Sequence, residues 1–173
     1  MKNIILPIVV LLFLINTKCF AQKLLPSQVE SLVWQTDLMQ AHQLSQSTNK
    51  PIFAFFTGSD WCGWCHKLQR EVFAKADFIN WAKKNVILLE VDFPRAKQLP
   101  KELAQQNAGL QQQFQVQGYP TIWMFFTSKD PKENKFSLNP LGSLGYPSGA
   151  ERGREELKFL KDADLVLANS GKK

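Results

Sequence analysis

Three short apolar runs constrain this chain more than any other feature. They are IFAFF at 52–56, VILLEVDF at 86–93 and TIWMFF at 121–126, each closed off by Pro, Gly or a charged turn. Runs this short, aromatic and β-branched, lying next to Gly and Pro, suit strands buried on both faces rather than helices. Between them lie stretches with apolar residues at helical spacing. Asp37 is placed to cap a helix running to about Thr48, with Leu38, Ala41 and Leu44 inward and Asn49-Lys50-Pro51 ending it. A second helix is expected to begin at the cysteines and run through Leu68, Val72 and Phe73. Asp77 is expected to cap a further short helix holding Phe78, Ile79 and Trp81. Lys101 to Phe114 is polar and rich in Gln, yet Leu103, Leu110 and Phe114 give it an inner side. Ser31–Trp34 is expected as a short first strand. Lys129-Asp130-Pro131 is expected as a turn, followed by an antiparallel return over Leu141–Tyr146. A closing helix over Ala150–Ala168 should bury Leu157, Leu160, Ala163 and Leu167. Strands alternating with helices predict an α/β fold with a central mixed sheet covered on both faces.

The chain has 173 residues, enough for one domain. Residues 1–21 have the form of a signal peptide: basic Lys2, an apolar run from Ile4 to Ile15, and Cys19-Phe20-Ala21 before the cut. That run is shorter than the ~20 residues that span a bilayer as a helix. Asn16-Thr17-Lys18 is too polar and too large for a lipoprotein site at Cys19. An uncleaved anchor is the alternative. The expectation is export, most simply to a periplasm, with one domain over 22–173 and no stable membrane insertion after cleavage. Lys2 and Lys18 leave with the signal, so the formal charge falls from +6 to +6 − 2 = +4. Such a mild excess, with no Arg cluster or basic-aromatic stripe, points away from nucleic acid as a partner.

Export also removes Cys19, leaving Cys62 and Cys65. A bridge between residues three apart closes a very small loop and adds little stability by chain entropy. Reactivity explains the pair better than stapling. The surrounding sequence, SDWCGWCHK at 59–67, is open to two chemistries. Cys-x-x-Cys-His is a haem attachment sequence, with His66 as one axial ligand and His42, Met39 or Met124 as the available second. Cys-x-x-Cys directly after a buried strand is a dithiol redox site, which needs no cofactor. Small haem carriers of this type are largely helical, which favours the dithiol. Zinc is poorly supplied, since Cys62, Cys65 and His66 give at most three ligands.

Trp61-Cys62-Gly63-Trp64-Cys65 after IFAFF, and Gly118-Tyr119-Pro120-Thr121 before IWMFF, resemble the thioredoxin superfamily. The resemblance covers roughly Trp34 to Ala168 and is nearest to exported bacterial proteins with a WCxWC dithiol, including the C-terminal domain of transmembrane disulfide-reductant conductors. It implies a thioredoxin fold and a thiol–disulfide oxidoreductase acting on protein or small-molecule disulfides and thiols, with a membrane electron donor as a further possible partner. The implied roles are attack by Cys62 and release by Cys65. Pro120 is implied to be cis, against the alternative of a trans proline opening a strand. The Tyr119 backbone is implied to pair with an extended substrate segment.

If Cys62 sits at a helix start, unpaired N–H groups and the positive dipole end face its sulfur and favour the thiolate. Trp61 and Trp64 are expected to form an apolar collar, although Trp64 stands where the family usually has Pro and Tyr119 where it usually has a β-branched residue. The family's buried acid is missing from IFAFF. Glu90, on one strand face with Asp92, is the candidate substitute as proton acceptor; the alternative is a strand-end carboxylate paired with a Lys. Asp60 is expected to be solvated or capping. His66 either tunes the thiols or is an ordinary helix-surface residue. A non-catalytic binding or chaperone module on the same fold is the other class of function.

Overall fold

A computed structural model describes residues 31–129 and 136–169. The signal segment 1–21, and Asp130 and Pro131 of the expected turn, lie outside the described residues. Among the described residues the strands are β1 Trp34–Gln35, β2 Ile52–Thr57, β3 Ile87–Asp92, β4 Thr121–Lys129 and β5 Phe136–Leu144. The helices described are α1 Leu38–Thr48, α2 Gly63–Leu68, α3 Ala76–Asn85, α4 Lys101–Gln113 and α5 Glu155–Ala168. A π-helical turn, Gln69–Phe73, continues α2.

The strands form one mixed sheet in the order β1-β3-β2-β4-β5. β3 runs parallel to both β1 and β2, while β4 lies antiparallel to β2 and β5 antiparallel to β4. Every residue of β2 is buried, as a central strand covered on both faces requires. Its alternation then divides the core. Phe53 and Phe55 point toward α2, the π turn, α3 and α5, among Cys65, Leu68, Val72, Phe73, Phe78 and Phe159. Ile52, Ala54 and Phe56 point the other way, toward Ala41 of α1 and Leu110 of α4. Phe53 makes edge contacts with Trp34, Phe73, Phe78, Trp81 and Phe159 at centroid distances of 5.9–6.3 Å. Contacts of this kind add roughly 0.5–1.5 kcal/mol beyond area burial. The aromatic richness of the sequence thus becomes a rigid floor under α2.

Several local expectations shift. The first strand is Trp34–Gln35, set by pairing with Leu88 and Leu89 of β3. Asp37 does cap α1, accepting the Met39 N–H at 2.6 Å. The helix is rotated so that Ser45 is buried and donates its hydroxyl to the Lys50 carbonyl at 2.6 Å, while Leu44 stays exposed. Lys75, not Asp77, is the residue before α3; Asp77 sits inside the first turn, where its charge suits the helix dipole. β5 begins at Phe136, before Leu141, and has a bulge opposite Met124 and Phe125. Pro140 is accommodated there because β5 is an edge strand. α5 starts at Glu155 instead of Ala150, because Gly149 and Gly153 adopt φ of 76° and 82°. Its inner residues are Phe159 and Ala163; Leu160 and Leu167 are partly buried and Leu157 is exposed.

Candidate active site

The dithiol is built by the way the chain leaves β2. After Thr57 the backbone folds back on itself, the N–H groups of Trp61 and Cys62 both donating to the Gly58 carbonyl at 3.1 and 2.9 Å. A side chain at Gly58 would bring its Cβ within 2.4 Å of the Trp61 indole, so this turn needs glycine. Cys62 is the N-cap of α2 in an extended conformation, and its Sγ accepts the Cys65 N–H at 3.2 Å. Sulfur therefore takes the place that a Ser or Asp oxygen usually fills at a helix start. Both cysteines are enclosed, Cys62 at 5% exposure and Cys65 at 0%, and they are joined as a disulfide with Cα atoms 5.2 Å apart.

The loop carrying Cys62 is tied by a set of hydrogen bonds to the end of β3 and the residues just after it. The Asp92 carboxylate accepts the Ser59 N–H at 2.8 Å and the Ser59 hydroxyl at 2.6 Å. The Asp60 carboxylate accepts the N–H groups of Arg95 at 3.0 Å and Ala96 at 2.6 Å. These backbone donors, Arg95 first, hold the Asp60 carboxyl below its ordinary range. The Trp61 indole N–H donates to the Phe93 carbonyl at 2.8 Å. Phe93 N–H returns to the Thr57 carbonyl at 2.9 Å. Asp60 is thus an exposed residue that ties the loop after β3 without capping a helix, and Asp92, noted in the sequence only as a neighbour of Glu90, is the main anchor. Its place at the strand end, level with the dithiol loop, was the available signal.

Each Trp has its own aromatic support. Trp61 meets Tyr119 edge-on at 5.8 Å, and Tyr119 stacks on Phe93 at 5.3 Å. Trp64 meets Tyr146 at 5.1 Å. Both indoles are exposed, Trp64 more so. Tyr146, Lys67 and Glu71 form a mutually hydrogen-bonded cluster beside Trp64. Its members raise the Lys67 pKa and lower that of Glu71, in each case chiefly through the hydrogen bond between the two. None of Tyr146, Lys67 and Glu71 was singled out in the sequence. A Cβ at Gly63 would meet nothing within 4 Å, so that position leaves the rim open without requiring glycine.

The Tyr119–Pro120 peptide bond is cis. The Tyr119 hydroxyl accepts the Gln111 side-chain N–H at 2.8 Å, and burial raises its pKa. The Thr121 hydroxyl donates to the Gly118 carbonyl at 2.7 Å, closing the turn. His66 is partly buried and donates Nε2–H to the Ser59 carbonyl at 2.8 Å, so it braces the loop. Glu90 is half-buried in a cavity of about 280 Å³ with Trp34, Phe55, Gln69 and Phe73, beneath the π turn. Burial, then the neighbouring Asp92, raises its pKa, with Lys97 opposing. Its lining neighbours there do not include the cysteines.

The side chains a haem iron would use are dispersed. His66 is engaged with Ser59, and Met39 and His42 lie on α1, which packs on the opposite face of the sheet. Met124 is fully enclosed in β4. Among the described residues, no three His, Cys, Asp or Glu side chains gather as metal ligands, and no helix is long and apolar enough to cross a membrane.

Residues 38–131 match the family model of the thioredoxin-like domain. The chain is 33% identical over 127 residues to the disulfide bond reductase DsbH of Chlamydia pneumoniae, covering 73% of this chain and 75% of that protein. It is 28% identical over 138 residues to the thioredoxin-related protein DsbJ of the same organism, covering 80% of this chain but only 38% of DsbJ. In three dimensions it superimposes on a DsbH oxidoreductase with a TM-score of 0.66 and 30% identity, over 86% of this chain and 92% of the other. A thioredoxin from Thermus thermophilus superimposes with a TM-score of 0.54 over 82% and 91%; at 18% identity this shows the fold alone. With its fold, its dithiol and these relatives together, the chain belongs to the thioredoxin-like family and is a thiol–disulfide oxidoreductase.

Proposed function

We propose that this protein reduces protein disulfides in an exported compartment, most simply a periplasm, with Cys62 as nucleophile and Cys65 as resolving thiol. The observation that carries the assignment is the position of Cys62 at the cap of α2, its sulfur accepting the Cys65 N–H at 3.2 Å. A thiolate there gains a hydrogen bond and the positive end of the helix, the arrangement that makes a cysteine reactive. The Cys62 thiolate attacks one sulfur of a substrate disulfide and expels the other as a thiolate, giving a mixed disulfide. Cys65, enclosed one turn on, loses its proton and attacks Cys62 Sγ. The Cys62–Cys65 disulfide forms, and the second substrate sulfur leaves. Two electrons pass from the dithiol to the substrate, and the two thiol protons end on the product thiols.

Reduction as the direction rests on the likeness to a protein named as a disulfide bond reductase. Export rests on the apolar segment Ile4–Ile15 and the small residues before Gln22. The Cys62–Cys65 disulfide left by each turnover must be reduced again, so a membrane-embedded dithiol donor is the fitting upstream partner. Trp61, Trp64, Tyr119, Pro120 and Thr121 supply the rim on which the substrate segment lies.

The test is reduction of insulin, with wild type and Cys62→Ser compared under a regenerating dithiol. Wild type should accelerate precipitation and Cys62→Ser should match the blank. Equal rates would remove the assignment. The couple should equilibrate nearer the ~−270 mV of reducing thioredoxins than the ~−120 mV of strong oxidants; a value near the latter overturns the direction.

A further inference from the structure

The loop after β3 holds out a cation, Arg95, against the rim of the dithiol. The Arg95 guanidinium lies 3.7 Å from the centroid of the Trp61 ring, on the residue next to Cys62. Its backbone N–H is held by Asp60 at 3.0 Å. The side chain is therefore anchored at both ends, its main chain by a carboxylate and its head by an indole face. Yet among the described residues the guanidinium N–H groups make no hydrogen bond and no ion pair. Stacking occupies only the flat face of a guanidinium. The donors along its edge stay free for an acceptor in the same plane, and a carboxylate matches that fork.

The charges nearby are otherwise committed. Both Asp60 oxygens accept backbone N–H groups. Lys97 lies 3.4 Å from Asp92. The contrast with the other flank of the dithiol is informative. Trp64 also has a cation near its ring, Lys67 at 5.9 Å from the centroid, but that ammonium is paired with Glu71 at 2.5 Å and bonded to Tyr146. One aromatic flank is neutralised. The other presents a cation stacked on Trp61 that, among the described residues, has no ion-pair partner.

We propose that Arg95 is a specificity-determining residue, selecting polypeptide disulfides that carry a carboxylate side chain beside the reactive cysteine. The inference rests on the thiol–disulfide activity and adds the chemistry of the preferred substrate. The substrate carboxylate accepts two N–H groups of Arg95 while Cys62 attacks the adjacent sulfur. Because stacking has already ordered the side chain, little further freedom is lost on binding.

The test uses three fluorogenic peptide disulfides identical except for Glu, Gln or Lys next to the reactive cysteine, with insulin as a common reference. At low ionic strength, wild type should favour the Glu peptide over the Gln peptide by about fivefold or more in kcat/KM, mostly through KM, as expected for an exposed charge-assisted contact. Added salt should shrink the preference. Arg95→Gln should bring the ratio to about one, and Arg95→Glu should turn it toward the Lys peptide. Lys67→Gln, which removes a cation already paired, should keep the wild-type ratio. Equal kcat/KM for the Glu and Gln peptides with wild type, or a preference untouched by Arg95→Gln, overturns the proposal while insulin reduction persists. Failure of wild type on insulin would instead overturn the reductase assignment itself.

Discussion

Replacing Asp92 by alanine tests how the dithiol loop is held. Asp92 is 7% exposed, and its two oxygens accept the amide and the hydroxyl of Ser59 at 2.8 and 2.6 Å. Hydrogen bonds to a charged group contribute about 1.5–3 kcal/mol each, so the pair sums to about 3–6 kcal/mol. The Lys97 contact adds at most ~1 kcal/mol, because that ammonium is largely in solvent. Water entering the vacated space satisfies part of what is lost, which puts the expected destabilisation of Asp92→Ala near the lower end, about 3 kcal/mol. Asp92→Asn keeps an acceptor for the Ser59 amide, and the Ser59 hydroxyl can turn to accept from the new amide group. Neutral bonds contribute about 0.5–1.5 kcal/mol each, so the asparagine variant should lose only about 1–2 kcal/mol. Asn107 donates to the Asp92 backbone carbonyl at 2.9 Å, a contact both variants retain, so the difference isolates the carboxylate. The measurement is urea unfolding at pH 7 with the dithiol reduced, alongside the rate of Cys62 alkylation. Alkylation should slow in Asp92→Ala, because a loosened loop no longer seats Cys62 at the helix cap. If Asp92→Ala cost less than ~1 kcal/mol and matched Asp92→Asn, the carboxylate would not be the anchor and the reasoning would fail.

Three other substitutions follow from the same geometry. The raised pKa of Glu90 means that the unfolded chain ionises first. Between the ordinary 4.5 and the higher folded value the native state binds more protons, so stability falls as pH rises through that window. Glu90→Gln should therefore melt at a higher temperature than wild type at pH 7, and the gain should vanish below pH 4.5; an equal gain at both pH values would contradict the burial argument. Asp60 has the opposite sign: its folded pKa lies below the ordinary 3.8, so its stabilisation is complete above 3.8 and disappears as pH falls through the folded value. Asp60→Asn should have a lower urea midpoint at pH 7, with the difference from wild type closing in strong acid. Gly58→Ala should push the Trp61 indole off the Phe93 carbonyl, seen as a change in tryptophan emission together with slower insulin reduction. Unchanged emission would show that the turn has room for a methyl group.

Much of this protein is local and was legible as such. IFAFF is a strand because five apolar residues between Pro51 and Gly58 have no polar face to show solvent. Asp37 caps α1 because a short carboxylate reaches the N–H two residues on. The place of Cys62 and Cys65 after that strand determines that the sulfurs meet a helix start. What the linear order does not carry are the pairings between distant segments. Ser59 meets Asp92 across 33 residues, Arg95 reaches the loop of Asp60 across 35, and Tyr146 meets Glu71 across 75. α5 divides the same way: Leu160, Ala163 and Leu167 pack on the core as their spacing predicts, but Phe159 turns inward and Leu157 outward because Phe53 and Phe78 wait on the facing elements.

The identity of the reactive group and the element it rides on were written in the order of residues, because strand, turn and helix cap are decided within a few peptide units. Which carboxylate steadies that group, and which cation remains open beside it, came only from folding. The order β1-β3-β2-β4-β5 sets the end of β3 beside the end of β2, and charges far apart along the chain become neighbours there.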